Sequence, residues 1–423
     1  MKNVLQATAL AALLVLGSPA RALAQEAVPG ATTESLLTLA RERNPEYASM
    51  RDEAQAASER VTMAGALMDP KFRIEWMDIT KMGEQNPTLW PGDVGRTEYT
   101  LMQDLPWFGK RDIKKNIAAQ EALVSQGRSQ GTWAELAAKV KTTHAQRYFL
   151  LHTQALTREL LDLTQRLASV AQVRYASGLA MQQEAIRAQV EQTAMQTELL
   201  AQAGESRQAD ARLNALLARP SNAPLAPPER LRPVPTGARL DADALMVRVR
   251  QSNPQLFTEA SRIRSAELGR DLSLKNRYPD FTLSVTPTQV QSRIAEWSLM
   301  LELNLPLQQD SRRAQEREAQ AMLSAAQSRR EATANQVMAD LSENLAGMET
   351  ALRTERLIQT SLLPQAELTL QAALASYENG RLDFATMLDA QRQVRQARQS
   401  RLKAQLEAQM RLAEIEKLVG EDL

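Results

Sequence analysis

Two halves of this chain follow one plan. An Asn-Pro step at Asn44-Pro45 recurs at Asn253-Pro254, and Pro70-Lys71-Phe72 recurs at the same offset as Pro279-Asp280-Phe281. Further on, Leu105-Pro106 returns as Leu305-Pro306, and Tyr175-Ala176-Ser177-Gly178 as Tyr377-Glu378-Asn379-Gly380, the offset shortening by several residues as loop insertions and deletions require. A repeat of this length exceeds a solenoid unit. It describes two equivalent halves of one architecture, so whatever one half folds into must be able to sit beside its own copy.

Each half opens with a short helix, Glu34 to Arg43 and Ala242 to Gln251, closed by the Asn-Pro step because a residue before proline disfavours α geometry. A second helix runs from Pro45 to about Ala66 and from Pro254 to about Leu274. The period then changes to two. Lys71 to Trp76 alternates polar and apolar, Glu98 to Leu101 repeats the alternation, and Asp280 to Thr286 and Glu296 to Leu305 do the same in the second half. Two strands per half predict two hairpins, at about 70–106 and 279–306, and four strands per protomer. Four strands cannot build a soluble sandwich, whereas a transmembrane barrel uses this alternation, with one face to lipid and one to a polar lumen. The lipid-facing set is then Phe72, Ile74, Trp76, Tyr99, Phe281, Trp297, Leu299, Leu301 and Leu303. Open edges are forbidden in lipid, so the chain is expected to oligomerise.

Very long helices follow each hairpin. Lys110 to Tyr175 contains no proline, and Ser311 to Tyr377 contains only Pro364, which is expected to kink the helix. Gly127, Gly131 and Gly347 are expected to weaken these helices. Turns at Gly178 and Gly380 lead into return helices ending near Ala218 and Val419. The spacing of Leu156, Leu160, Leu163 and Leu167 suits antiparallel coiled-coil packing. A Pro-rich linker, 220–238, separates a first repeat, 25–219, from a second, 239–423.

The remaining bounds come from composition. Lys2, the apolar run Val4 to Leu16 and Ala22-Leu23-Ala24 read as a signal peptide, 1–24, cleaved before Gln25. Cysteine is absent, so neither a disulfide nor a lipoprotein acyl anchor is expected. Acidic and basic residues nearly cancel, with a net charge of +1, which leaves no footprint for nucleic acid. Nothing resembles a nucleophile elbow or a phosphate loop. His144 and His152 are the only histidines and have no partners at ligand spacing; Met77, Met82 and Met102 read as packing rather than copper ligands. No enzyme activity, cofactor or metal site is assigned.

The signal peptide, the duplicated helix–hairpin–long-helix plan and two Gly-centred turns together resemble the TolC-type outer-membrane efflux proteins, the exit ducts of tripartite exporters. The resemblance spans the mature chain. Its most specific stretch is Ser376-Tyr377-Glu378-Asn379-Gly380 with Met387-Leu388-Asp389-Ala390-Gln391-Arg392, similar to the family's second tip motif; Arg174-Tyr175-Ala176-Ser177-Gly178-Leu179 is similar to the first. The fold this implies is mostly α with a small β part: a trimeric α-helical barrel topped by a shared 12-stranded transmembrane β-barrel, four strands from each protomer, in a Gram-negative outer membrane. The implied partners are two further copies, a periplasmic adaptor (membrane-fusion) protein, an inner-membrane pump of RND type and outer-membrane lipid.

The resemblance also assigns roles. Acidic residues six and nine positions after the second tip glycine ring the family's constriction; here those positions hold Thr386 and Asp389, so one of two rings is missing, with Asp383 as a partial substitute. Three Asp389 carboxylates around a narrow pore would repel one another and favour cations. A closing bond is implied from Tyr377 to Glu184. Adaptor docking falls on Arg174, Ser177, Gly178, Leu179 and Ala180 at one tip and Asn379, Gly380, Arg381 and Leu382 at the other. The strand-to-helix segment Leu105-Pro106-Trp107-Phe108-Gly109-Lys110-Arg111 resembles that of members serving heavy-metal cation exporters, and its second copy, Leu305-Pro306-Leu307-Gln308, lacks the aromatic-Gly-Lys part. Mechanically, that segment bends strand into helix, with Lys110 and Arg111 expected at periplasmic headgroups. The competing reading from another class is a soluble periplasmic coiled-coil scaffold or adaptor whose small hairpins pack on helices.

Overall fold

The computed structural model describes residues 28–178, 181–235 and 240–423. The expected signal peptide therefore lies outside the described residues, as do Leu179, Ala180 and the end of the linker. The elements run α1 (Thr33–Arg43), α2 (Pro45–Gly65), β1 (Lys71–Met77), β2 (Arg96–Leu105), α3 (Lys110–Ala176) and α4 (Gln182–Leu216). The second half repeats them as α5 (Ala242–Ser252), α6 (Pro254–Lys275), β3 (Asp280–Val290) and β4 (Arg293–Asn304). Its long helix is divided into α7 (Gln309–Leu357) and α8 (Leu363–Glu378), followed by α9 (Phe384–Val419).

Both Asn-Pro steps act as joints with the same chemistry. Asn44 closes α1 and caps α2, its side chain accepting from Tyr47 N–H at 3.0 Å and donating to Leu216 O at 2.9 Å. Asn253 caps α6 on Gln255 and Leu256 N–H and donates to Leu418 O at 2.7 Å. Each asparagine therefore satisfies a helix start and the end of its half's return helix in one residue.

α3 spans 67 residues without a break, about 100 Å at 1.5 Å per residue. The expected weakening at Gly127 does not appear. A Cβ there would lie 2.4 Å from Thr258 Oγ1 and 3.0 Å from Phe257. The missing side chain is what lets α6 cross against α3, and tertiary contact outweighs propensity. Pro364 sits at the start of α8, directly after a π-helical turn at Ile358–Leu362. The proline has no N–H to complete the α ladder, and the wider turn accommodates it.

The core is a set of layers between helices rather than one globule. Leu36, Ala40, Leu136, Val140, Leu213 and Leu217 join α1, α3 and α4; Leu245, Val249, Val337, Leu341, Leu412 and Ile415 join α5, α7 and α9. α1, α5 and the linker thus girdle the middle of the long helices. There Glu416 is 3 % exposed and accepts from Lys141 at 2.7 Å and from the linker's Arg232 at 2.7 Å. Lys141 also reaches Asp422. Burial alone would raise the Glu416 carboxyl, but Arg232 and Lys141 hold it below the ordinary glutamate value.

The four strands form one antiparallel sheet in the order β1-β2-β3-β4. Phe72 pairs with Leu101, Ile74 with Tyr99 and Trp76 with Thr97; Leu101 pairs with Val285 and Leu105 with Phe281. Phe281, Leu283, Val285 and Pro287 then pair with Leu303, Leu301, Leu299 and Trp297. Directly paired residues share a face, so every residue of the expected lipid-facing set lies on one side of the sheet. Arg73, Thr100, Thr286 and Ser298 mark the opposite side, as do Glu75, Glu98, Thr288 and Glu296. The apolar side is not covered by the helices: Trp297 is 70 % and Leu299 73 % exposed. Hairpins packed on their own helices, which a soluble scaffold needs, are not what forms. β1 and β4 both present unpaired edges within the protomer.

Candidate functional site

At the end of the helices remote from the sheet, four helix ends converge on one side chain. Tyr377, near the end of α8, is 1 % exposed. Its ring meets Phe384 of α9 edge-on at 5.6 Å, and the Arg174 guanidinium of α3 lies 5.0 Å from its centroid. Arg174 also donates to Tyr377 O at 2.7 Å. The hydroxyl donates to Glu184 Oε2, in the first turn of α4, over a long 3.4 Å. Leu167, Ala171, Ala188, Met387 and Leu388 pack around this pair of rings. Burial pushes the phenol above its ordinary value, and the neighbouring Glu184 charge adds to the shift while Arg174 opposes it.

The turns themselves are backbone devices. Gly178 has φ 71° and Gly380 φ 73°, a left-handed conformation that glycine adopts without strain. Gly380 N–H donates to Tyr377 O and Arg381 N–H to Ser376 O, closing the end of α8. Ser177, Asn379 and Arg381 are exposed. Leu382 is half-buried against the Tyr377 cluster, and Arg174 is engaged beneath the ring. Two residues expected at the docking surface therefore also hold the tip together.

The expected constriction residues sit on the exposed side of α9. Asp383 is its N-cap, accepting from Thr386 N–H at 3.2 Å, and the hydroxyl and N–H of Thr386 hold its carboxyl below the usual range. Thr386 is exposed, and the Asp389 side chain is 68 % exposed. Asp389 lies 3.5 Å from Arg392, which is itself held at 2.5 Å by the buried Glu191 of α4. The Asp389 charge is thus partly compensated within its own protomer.

Arg392 begins a ladder that sequence reasoning missed. Arg395 pairs with Glu198 at 3.2 Å; Arg398 bridges Glu159 of α3 at 3.1 Å and Glu367 of α8 at 2.9 Å; Arg401 approaches Glu355 of α7 at 3.9 Å. The signal was present as four arginines at strict three-residue intervals, Arg392, Arg395, Arg398 and Arg401, a spacing that winds gradually round the helix so that successive arginines reach different neighbouring helices. Just before the first of them the buried Gln391 donates to Thr164 Oγ1 at 2.8 Å and to Leu160 O at 3.2 Å.

At the opposite end, the strand-to-helix segment differs from expectation in one respect. Lys110 does not face headgroups. It is buried, donating to Asp280 Oδ1 at 2.9 Å and Tyr278 O at 3.1 Å, while Trp107 N–H donates to the same carboxylate at 2.7 Å. Trp107 stacks on Tyr278 with centroids 5.1 Å apart. The segment ties the first half's bend to the start of β3, and Gly109, φ 81°, makes the corner. Phe108 remains exposed. His144 is buried with Nδ1 3.2 Å from Thr33 Oγ1, and burial lowers its pKa. Among the described residues no helix is long and apolar enough to cross a membrane.

The structure is a long helical stem with an antiparallel sheet at one end, whose apolar face the helices leave open, and helix ends packed around Tyr377 at the other. The fold is that of the TolC-type outer-membrane efflux proteins, and residues 245–421 match the family described as "Outer membrane efflux protein". Channels of that family are not enzymes. Comparison with curated protein sequences finds no match. Among solved structures, a membrane protein from Pseudomonas aeruginosa is similar with a TM-score of 0.79 at 19% identity, covering 93% of this chain and 91% of that one. The outer membrane protein VceC from Vibrio cholerae gives 0.78 at 16% identity, covering 92% and 96%. The open state of the MtrE outer membrane channel of Neisseria gonorrhoeae gives 0.74 at 16% identity, covering 92% and 89%.

Proposed function

We propose that this chain is the outer-membrane exit duct of a tripartite efflux system, passing cargo from an RND-type pump and its periplasmic adaptor across the periplasm and outer membrane. The observation that carries the reading is the sheet: one continuous apolar face left open, one polar face, and an unpaired strand at each edge. Three protomers joined edge to edge supply twelve strands, remove every edge and turn the apolar faces to lipid. The helices then continue as a periplasmic tube ending at Gly178 and Gly380, where the adaptor docks on Ser177, Asn379 and Arg381 with the flanking turn residues. Tyr377, Glu184 and Arg174 hold that end shut, and Asp389 with Thr386 lines the narrowest passage.

Metal cations are favoured narrowly over drugs as cargo. The support is the Leu105 to Arg111 segment, which has the family's metal-exporter pattern in the first half alone. Selectivity of a duct is weak in any case, since the pump behind it chooses. The test is extraction from outer membranes in detergent, followed by mass determination and planar-bilayer conductance on one sample. A trimer carrying a small cation-preferring current is the expected result. A water-soluble species without conductance would return the chain to the scaffold reading.

A further inference from the structure

Residues 78–95, between β1 and β2, form a folded flap rather than a simple turn. Asp78 O accepts from Lys81 and Gly95 N–H, and the Asp78 carboxylate accepts from Met82 N–H at 2.8 Å. Thr88 N–H reaches back to Ile79 O, and Gln85 Nε2 donates to Asp93 O. Asp78, Lys81 and Met82 hold positive φ of 55°, 50° and 61°, a strained arrangement that persists only where surrounding bonds enforce it. Val94 is buried at 2 %.

Its direction is set by Thr97. That residue pairs with Trp76 and Gln289, on the apolar side of the sheet, yet it is fully buried. Its hydroxyl reaches Pro91 O at 3.5 Å. The flap therefore lies down over the outer face and not across the lumen. The bonds that fix the flap leave Leu89 and Trp90 64% and 71 % exposed, directly before Pro91, the residue that reaches Thr97 on the apolar side of the sheet.

We infer that the 78–95 flap is a membrane-surface anchor, with Leu89 and Trp90 seated in the outer leaflet at headgroup depth. The inference rests on the outer-membrane reading of the sheet. Lipid is the occupant because the flap prolongs the same apolar face that the strands turn to the bilayer, and an indole at the rim suits an interface with one apolar and one wet side. Its consequence is that the flap fixes the height and tilt of the barrel rim instead of lidding the pore.

The absence of cysteine makes a clean test. Leu89→Cys and, separately, Leu299→Cys are labelled with an environment-sensitive bimane in the full chain, reconstituted in liposomes carrying nitroxide lipids quenching either near the headgroup or near the chain end. The expected result is that the Leu299 probe is quenched by the deep label and the Leu89 probe by the shallow one. Quenching at Leu299 with a water-exposed, unquenched probe at Leu89 overturns the anchor while leaving the barrel standing. Loss of quenching at both sites overturns the barrel reading and the anchor with it. Trp90→Cys, at a 71 % exposed position, repeats the measurement at the neighbouring seat and guards against a local effect of the Leu89 substitution.

Discussion

Tyr377 shows how one side chain links four helix ends by different forces. Its ring supplies apolar area to Phe384 and a π face to Arg174, while only its hydroxyl addresses Glu184. Tyr377→Phe separates these contributions: packing remains and the charged hydrogen bond goes. Such a bond is worth about 1 kcal/mol, so the closed tip should lose roughly fivefold in stability relative to open forms. Planar-bilayer recording should therefore show more frequent opening with unchanged thermal stability; equal gating would show that the hydroxyl does not latch the tip. Asp389→Ala is expected to raise single-channel conductance and to reduce cation preference. Unchanged ion selectivity would remove Asp389 from the constriction. The tip motif pointed to Tyr377 and Glu184 in the sequence, and their side chains meet over 3.4 Å. Arg174 was legible only as a surface residue, because its place under the ring depends on two helix ends meeting across the repeat.

At the scale of elements, the strands were readable and the helix contacts were not. Alternation fixes which side of a strand is apolar without knowledge of its partners, so the residues from Phe72 to Leu303 expected on one face do share one side of the sheet. A glycine in a long helix carries no such mark. Gly127 read as a weakness, yet it is the site of close approach to α6. Gly127→Ala should accordingly destabilise by about 1–3 kcal/mol through overpacking, although alanine favours a free helix by about 1 kcal/mol. A rise in melting temperature by circular dichroism would contradict this account. The belt offers a second check. Glu416→Gln leaves Lys141 and Arg232 facing a neutral group, which costs about 3 kcal/mol when one partner of a buried pair is removed. Because the Glu416 carboxyl is held below its ordinary value of 4.5, its contribution is complete above that pH and is lost as pH falls below it. Thermal stability of the parent chain should fall in that acid window by more than that of Glu416→Gln; parallel curves would show that the carboxylate does not carry the effect.

For the whole molecule, duplication was the most informative reading, since it gave element order and strand count before any contact was known. The family's sequence pattern is matched over residues 245–421 of the second half, while the shared fold extends through both halves. Side choice in the sheet decides membrane insertion. Leu301→Arg places a charge on the outer face at a cost of about 2–4 kcal/mol near the bilayer midplane, whereas Ser298→Arg adds the same charge to the polar side. Outer-membrane yield of folded protein should drop for the first and hold for the second; equal loss would reverse the assignment of faces.

The open edges of β1 and β4 have a genetic consequence. In the trimer proposed above, a barrel wall contributed in thirds by identical copies has no spare part: one defective protomer would spoil a complete pore made with two sound ones. Co-expression of an assembly-competent but blocked variant with the parent at equal levels leaves roughly one trimer in eight free of the variant, by random mixing in a closed three-fold ring. Mutations at the tip that jam the passage should therefore behave as dominant, while those that destroy the strand edges should be recessive, because they never enter the ring at all.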